Sequence, residues 1–558
     1  HQGMLITRFF PEADQPSGPQ FYLRDMKTGE FFRPAADGTA FFDAGSAVFS
    51  CRRAGLQITL RCCVEPLSGT AQALLQLENP GKQTRELEAV SFLELAQGAR
   101  QDDEAHPNFR DLSIQVSPLG GAGLLSRRLP RDGRDRAPLI AHFVGGDVCS
   151  LRRQGDRVLF LGRTGDYAAP EQMRRAPGEC DFRTGDVIAP CLSLRAGVRV
   201  SAGGKAALCF FTAAGESEAA LSALPCGLDA AREALSLSAA RARMTLRFLH
   251  IDGAMLALYQ QMLGAICFFG QPHQALLPPA PQNALWRAGL SGALPLLLVR
   301  LGEDADKPLI RHALRAHAWM RAQGVWVEIV FACGDAPGYL RPAQDAVSTL
   351  IAAGPSRDLL GVPGGVRFYN GTEEEIAEME SLARLTLRGG APLARQLAAL
   401  RRLPAPAAGT LCRPTPVLPP PLTDFNGYGG FTPENAYCVT APAPAPWHNI
   451  LAGRRFGTVV CEGGILQSFG ENSRLERITR AAPDVHRAAP SEEIFLRTEE
   501  GSLYPLARCT ALHEPGATVY STLCGAVYAD LTVFCHPEAP QGVRYLLLRS
   551  EAPVKLRL

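Results

Sequence analysis

No charge of either sign dominates this sequence: 57 Lys and Arg stand against 55 Asp and Glu, for a formal net charge of +2. Neither sign forms long blocks, so the chain offers no electrostatic footprint for nucleic acid or for an acidic membrane surface. No stretch reaches the ~18 uninterrupted apolar residues of a membrane-spanning helix. The most apolar helical candidate, Ala254–Phe269, is broken by Tyr259-Gln260-Gln261. No CxxC pair occurs among the 16 cysteines, which removes the usual ligand spacing of a zinc site. Most fall in apolar runs such as Ala207-Leu208-Cys209-Phe210-Phe211, and read as small buried hydrophobes in a reducing compartment. No metal or other cofactor is therefore expected. A signal-peptide pattern is missing too. The chain opens His1-Gln2-Gly3 with its first Met at position 4, from which an internal piece of a larger polypeptide is expected.

What the chain does have is an ordinary packed-protein composition, 46% hydrophobic and 20% charged over 558 residues. That length suits about three or four domains. It also contains part of itself twice. Ile6-Thr7-Arg8, Phe21-Tyr22-Leu23-Arg24 and Gly29 are answered by Ile478-Thr479-Arg480, Ile494-Phe495-Leu496-Arg497 and Gly501. Gly45 with Val48-Phe49-Ser50 is answered by Gly516 with Val519-Tyr520-Ser521, and Leu60 with Glu65-Pro66 by Leu531 with His536-Pro537. Ala73-Leu74-Leu75 aligns with Tyr545-Leu546-Leu547, and the offset stays at 471 to 473 throughout. Register kept over about 80 positions marks a duplication. The second copy has patterned sequence from about Phe425 to Asn472 that the first, by its offset, lacks: about 48 front residues. The second in turn stops in mid-strand at Pro553–Leu558. Two partial sandwiches would expose unpaired strand edges unless the halves pair with each other.

The expected fold class is multidomain: an antiparallel β-sandwich (supersandwich), a helical linker, a small α/β domain, then a second partial β-sandwich. The boundaries are 1–225 for the first sandwich, lacking its N-terminal strands, 226–282 for the linker and 283–402 for the α/β domain. A Pro-rich linker spans 403–424, and the truncated second sandwich spans 425–558. Within the first, Gln72–Leu77 and Leu87–Leu95 flank the turn Asn79-Pro80-Gly81-Lys82, a hairpin pattern. Leu192–Arg195 and Val198–Val200 bracket another turn. Leu246, Leu249, Ile251, Met255, Leu256, Tyr259 and Met262 approximate one apolar helical face. The α/β segment alternates strands at 294–301, 325–333 and 365–369 with helices at 310–323, 342–353 and 372–387, a parallel-sheet pattern. Thr372 with Glu375 forms a capping box at the last helix start.

Three segments resemble glycoside hydrolase family 94, the cyclic β-1,2-glucan synthases and related disaccharide and oligosaccharide phosphorylases. The first combines Phe21-Tyr22-Leu23-Arg24-Asp25, Glu104-Ala105-His106-Pro107-Asn108-Phe109 and Phe160-Leu161-Gly162-Arg163. The second is Leu285-Trp286-Arg287-Ala288-Gly289-Leu290-Ser291-Gly292 with Arg315-Ala316-His317-Ala318-Trp319. The third is Phe425-Asn426-Gly427-Tyr428-Gly429-Gly430-Phe431, Pro446-Trp447-His448-Asn449 and Glu471-Asn472-Ser473-Arg474-Leu475-Glu476-Arg477. The resemblance implies a parent whose catalytic acid sits on an (α/α) barrel beyond Leu558, and whose membrane-attached glycosyltransferase portion lies before His1. It implies a cytoplasmic segment without membrane contact of its own. Ala293 departs from it, standing where relatives carry Asp in Ser-Gly-Asp-Leu-Pro.

Glycoside chemistry needs a carboxylic acid at the scissile oxygen and a second carboxylate or a phosphate site opposite. Asp102, Asp103 and Glu104 cluster, but with no distant partner they read as a solvated loop between strands. The carbohydrate-binding candidates are Asn472, Arg474, Trp447 and His106. Amide and guanidinium groups suit hydroxyl-rich or phosphate ligands, and aromatic rings pack on sugar faces. For Trp286 and Trp447 a core or interdomain anchor is the favoured role. Gly361-Val362-Pro363-Gly364-Gly365 precedes a strand, whereas a phosphate loop follows one. No catalytic residue is assigned. The expected function is a non-catalytic carbohydrate-binding scaffold within a glucan-processing enzyme, with a glucan or oligosaccharide and the rest of the parent as partners and no nucleic acid. The alternative is a stand-alone carbohydrate-binding or assembly protein with no catalytic parent, which the flanking coding sequence would reveal.

Overall fold

A computed structural model of the chain describes every residue except 1–3, 9–17, 106, 134, 163–164, 270–279, 303–305, 335–341, 401–409, 480–489 and 508–509. The first module is a sandwich of a six-stranded and a nine-stranded antiparallel sheet. Strands β1 (Gln20–Asp25) and β2 (Phe31–Phe32) belong to the smaller sheet. β3 (Thr39–Phe42), β4 (Ala47–Arg53), β5 (Leu56–Val64) and β6 (Ala71–Glu78) form one end of the larger. β7 (Arg85–Gly98) and β8 (Pro190–Val200) return to the smaller sheet, and β9 (Lys205–Gly215) to the larger.

β7 is buried without a break from Leu87 onward, as a strand covered on both faces must be. Leu87, Ala89, Leu93 and Leu95 face the core between the sheets, while Val90 and Phe92 pack with Tyr22, Phe160 and Tyr167 on the other side.

Two expected turns are corrected. The Asn79–Lys82 turn closes no hairpin, because β6 and β7 lie in different sheets; alternation fits a hairpin and a sheet change equally well. Asn79 anchors the crossover, its Nδ2 donating to the carbonyls of Gln83 at 2.7 Å and Val200 at 3.2 Å. Leu192–Val200 is not interrupted either. Gly197 sits in the ladder opposite Ser150, and β8 runs straight through it.

The middle of the chain opens with α1 (Leu228–Phe248) and α2 (Gly253–Gly264), bent by 98° at a break that Asp252 caps. The expected apolar face is real. Leu249, Ile251, Leu256, Tyr259 and Met262 enter one core with the parallel sheet. Among the described residues no single helix is long and apolar enough to cross a membrane; α1 and α2 pass that test only as a bent pair.

The sheet that follows is parallel throughout: β10 (Leu296–Leu301), β11 (Glu328–Gly334), β12 (Val366–Gly371) and β13 (Leu385–Arg388), in the order β12-β11-β10-β13. Helices α3 (Lys307–Ala322), α4 (Pro342–Ala352) and α5 (Glu373–Leu382) connect its strands. The capping box forms, Glu375 N donating to Thr372 Oγ1 and Thr372 N to Glu375 Oε2. The last helix is shorter than expected. It stops at Leu382, and Leu385–Arg388 is a fourth strand beside β10, because its Leu-Thr-Leu run alternates as a strand does. The Pro-rich stretch is not purely a linker. Thr410–Leu411 and Thr415–Pro416 pair with strands of the second module.

That module begins with the short pair β14 (Gly429–Phe431) and β15 (Tyr437–Val439), then a meander of β16 (His448–Ala452), β17 (Gly457–Cys461) and β18 (Gly464–Phe469). β19 (Phe495–Thr498), β20 (Ser502–Pro505), β21 (Thr510–Glu514), β22 (Ala517–Cys524), β23 (Val527–Cys535), β24 (Gly542–Ser550) and β25 (Leu556–Arg557) follow.

The duplication extends to hydrogen-bond register. Thr39↔Ser50, Val48↔Arg61 and Gln57↔Glu78 in the first module recur as Thr510↔Ser521, Val519↔Thr532 and Tyr528↔Arg549 in the second. β1 and β19 likewise pair with β7 and β25. The ladder matches Ala73–Leu75 to Arg544–Leu546, one residue away from the sequence alignment. The slip matters because it would turn every side chain to the other face; with it removed, Leu75 and Leu546 both face their cores. Among the described residues no ladder joins the two modules, so the halves do not pair with each other.

The second module instead covers itself. β15 pairs with β21, and the meander lies over β22 and β23, with the Tyr520 hydroxyl donating to the Cys461 carbonyl at 2.6 Å. Tyr520→Phe removes this buried bond and is expected to cost about 1 kcal/mol, read as a lower urea midpoint for the second module.

Candidate functional site

The strongest ligand-facing surface is aromatic and lies where β14, β15 and the meander meet. Asn426 shapes it: its Oδ1 accepts from the backbone of Tyr428 and Gly429, its Nδ2 donates to Tyr437 Oη at 3.0 Å, and Gly427 takes φ +95° in between. Only glycine adopts that φ without strain. The turn sets Tyr428 edge-on to Trp447 at 6.2 Å, Tyr437 to Trp447 at 5.3 Å and Phe431 to Tyr437 at 4.9 Å. Trp447 is half-buried against the module core and Tyr437 lies beneath it, whereas Phe425, Tyr428 and Phe431 are 57%, 37% and 40% exposed. Trp447 therefore anchors a partly open aromatic patch. Tyr428 and Phe431 were not among the sequence candidates, although their glycine-spaced run carried the signal.

Asn472 and Arg474 sit on an exposed loop after β18. The Asn472 side chain closes an Asx turn, accepting from the backbone of Arg474 and Leu475 at 2.9 Å each. The Asn472 amide oxygen is thus committed to the turn, while the Arg474 guanidinium is exposed and bonds no described residue. Trp447 and this loop do not converge. Trp447 precedes His448, which pairs with Cys461, while the loop follows Phe469, which pairs with Gly457 at the far end of β17. At ~3.3 Å per residue the two ends are separated by about 13 Å of strand.

His106 lies outside the described residues. In the acidic cluster beside it, Asp102 is exposed as its sequence suggests, whereas Asp103 is not solvated. Asp102 and Asp103 lie in a short helix, Arg100–Ala105, and Asp103 pairs with both Arg110 and Arg8. Arg8 also donates to Glu94 at 2.7 Å and to Asp111 at 2.8 Å, and Arg157 stands 3.4 Å from Glu94. Burial raises the Asp111 carboxyl above the usual carboxylate range even beside Arg8. These acids hold the sandwich end together, and their oxygens point into guanidinium groups rather than into a cleft.

Trp286 is corrected as well. It is 65% exposed on the 3-10 segment Gln282–Ala288, where Ala284 and Leu285 take the buried positions. Ala293 is exposed on the loop entering β10, at the end of the parallel sheet where its strands begin. The Gly361–Gly365 loop leads into β12, as its sequence indicates. Among the described residues no cluster of three or more His, Cys, Asp or Glu is placed to hold a metal ion, and the described cysteines are free thiols.

The sequence profile of the glycosyl hydrolase 94 supersandwich domain matches residues 3–225 and 435–558. The chain belongs to that family. Both supersandwich stretches coincide with the two modules whose strand registers repeat. The chain is 26% identical over 588 aligned positions to a cyclic beta-(1,2)-glucan synthase, NdvB, of Rhizobium meliloti, an alignment covering 94% of the chain and 20% of that protein. It is 35% identical over 75 residues to an N,N'-diacetylchitobiose phosphorylase of Vibrio furnissii, covering 13% of the chain and 9% of the phosphorylase. The supersandwich chain thus spans about a fifth of the length of the glucan synthase it matches. A solved polysaccharide lyase covers 36% of the chain and 26% of its own length at 12% identity, with a TM-score of 0.22, too loose a superposition to bear on the fold.

Proposed function

We propose that this chain is the non-catalytic, carbohydrate-binding scaffold of a cytoplasmic glucan-processing enzyme of the glycosyl-transfer class. The alignment of 94% of the chain with a single glucan synthase, running through both supersandwich modules and the α/β segment between them, carries this reading. Two features support it. The patch of Phe425, Tyr428, Phe431 and Trp447 offers apolar faces of the kind that pack on pyranose rings. The Arg474 guanidinium, exposed at the other end of the meander, offers a fork of donors to hydroxyl or phosphate oxygens. The acids Glu94, Asp103 and Asp111 are each engaged by arginine, and are assigned a structural part. Turnover is then the task of the rest of the parent. Incubating the chain with linear β-1,2-glucan and inorganic phosphate is expected to release no glucose 1-phosphate; its release would overturn the scaffold reading.

A further inference from the structure

The two modules share one strand register but differ in what covers it. In the second, the meander seats on the β22–β24 face through specific bonds. Asn449 Nδ2 donates to Thr518 Oγ1 at 3.0 Å and to the Ala517 carbonyl at 3.1 Å. Tyr520 bonds the Cys461 carbonyl, Cys535 Sγ the Leu451 carbonyl at 3.2 Å, and the Arg454 amide the Pro537 carbonyl at 2.8 Å. Arg544 Nη2 reaches Ser468 Oγ at 2.9 Å. At the edge of the same sheet, β15 pairs with β21.

The matching positions in the first module are Ala47, Phe49, Val64, Pro66 and Ala73, and all of them line one cavity of about 770 Å³. The matching edge, β3, ends the nine-stranded sheet, with Phe41 and Phe42 66% and 58% exposed. The footprint that is filled in one module is thus open in the other. α1 and the end of α3 line one side of it, through Ala242, Thr245, Ala322 and Gln323; Ser238 donates to the Gly45 carbonyl at 2.6 Å, and Arg241 to the Pro66 carbonyl at 3.2 Å. Pro66 corresponds to Pro537, so α1 bonds the carbonyl whose counterpart the Arg454 amide holds.

We propose that this cavity is the seat of a three-stranded β-meander built like His448–Phe469, with a hairpin like Gly429–Val439 pairing to β3, both supplied by polypeptide of the same protein outside residues 1–558. The relative that matches nearly the whole chain is about five times its length, so such polypeptide has a source. The lining sets the occupant's chemistry. Ala47, Phe49, Cys62 and Ala73 stand where the second module has Thr518, Tyr520, Val533 and Arg544. The side-chain partners that Asn449 and Ser468 have in Thr518 and Arg544 are thus replaced by Ala47 and Ala73, and apolar side chains suit the occupant at those two positions. This assembly site is independent of the carbohydrate reading.

Native-state hydrogen exchange tests it within one molecule, because Ala517–Cys535 is a built-in control for Ala47–Val64. In the chain as it stands, Ala47–Val64 is expected to exchange at least about tenfold faster than its counterpart. Fusing a second copy of residues 425–472, with the added copy carrying Asn449→Leu and Ser468→Ala, ahead of residue 1 is expected to close that gap and reduce binding of a hydrophobic dye. Equal protection in the unfused chain would show that α1 already closes the seat and would overturn the proposal. So would a fusion that leaves the gap unchanged, or light scattering showing that Ala47–Val64 is protected only in a dimer.

Discussion

Replacing Glu88 by Gln is expected to lower the melting temperature of the first module by about 10 °C. Glu88 is the carboxylate that Arg195 bonds through Nε at 2.9 Å, with Arg24 Nη1 3.8 Å away, and both arginines are 1% exposed. Burial, and then the charge of Arg195, already depress the pKa of Arg24, with Glu88 acting the other way. For Arg195 burial opposes the charge too, but the Glu88 bond more than offsets it and the pKa rises. A neutral amide in place of this carboxylate would leave two guanidinium groups facing each other without an anion. Breaking a buried pair in this way costs about 3–5 kcal/mol, and about 2–4 °C is lost per kcal/mol in a module of this size. Calorimetry reads the shift. Adding Arg24→Met to Glu88→Gln removes one of the stranded cations and should recover part of the loss. A shift below about 2 °C for the single variant would contradict this account of the network.

Acid should weaken the same module through His142. Burial drives its pKa down to about 3, and it is held neutral between Ser91 Oγ at 2.7 Å and Thr212 Oγ1 at 2.9 Å. The unfolded chain takes up this proton near its ordinary pKa of about 6.5, whereas the folded chain does so only near 3. The stabilisation is therefore complete above pH 6.5 and is lost as pH falls from there towards 3, at up to about 1.4 kcal/mol per pH unit. At pH 5 the loss from His142 alone is about 2 kcal/mol. His513 in the second module, lowered to about 4 by burial and by His448, acts in the same direction. Urea midpoints at pH 7 and pH 5 measure the effect. His142→Gln should flatten the first module's dependence, and an unchanged slope would contradict the assignment.

The repeat was legible in the sequence because both copies need inward-facing apolar residues at the same pleat positions, as at Leu60 and Leu531. The parallel sheet was legible because its strands and helices alternate with clear breaks, Thr372 and Glu375 marking one of them. The path between sheets was not. Asn79-Pro80-Gly81 bends the chain equally well within a sheet or across the sandwich, and only the contacts of Asn79 with Val200 and Ser201 decide. Leu385–Arg388 was hidden because four residues are too few for alternation to stand out beside a capped helix. The site was legible only in parts. The spacing of Trp447 and Asn472 is compatible with one cleft, yet the meander places them at opposite ends. Asp103 looked solvated because Arg8, its partner, is 95 residues away in sequence.

The claim that this chain holds glucan without processing it is tested most directly by titrating the intact chain with linear β-1,2-glucan oligosaccharides while following tryptophan fluorescence. The account predicts a saturable change that Trp447→Ala and, at a more exposed position, Tyr428→Ala weaken by about tenfold or more, in line with the loss of one or two stacking contacts, and that Trp286→Ala leaves unaltered. The absence of any saturable change, or a response that depends on Trp286 and not on the patch around Trp447, would contradict it.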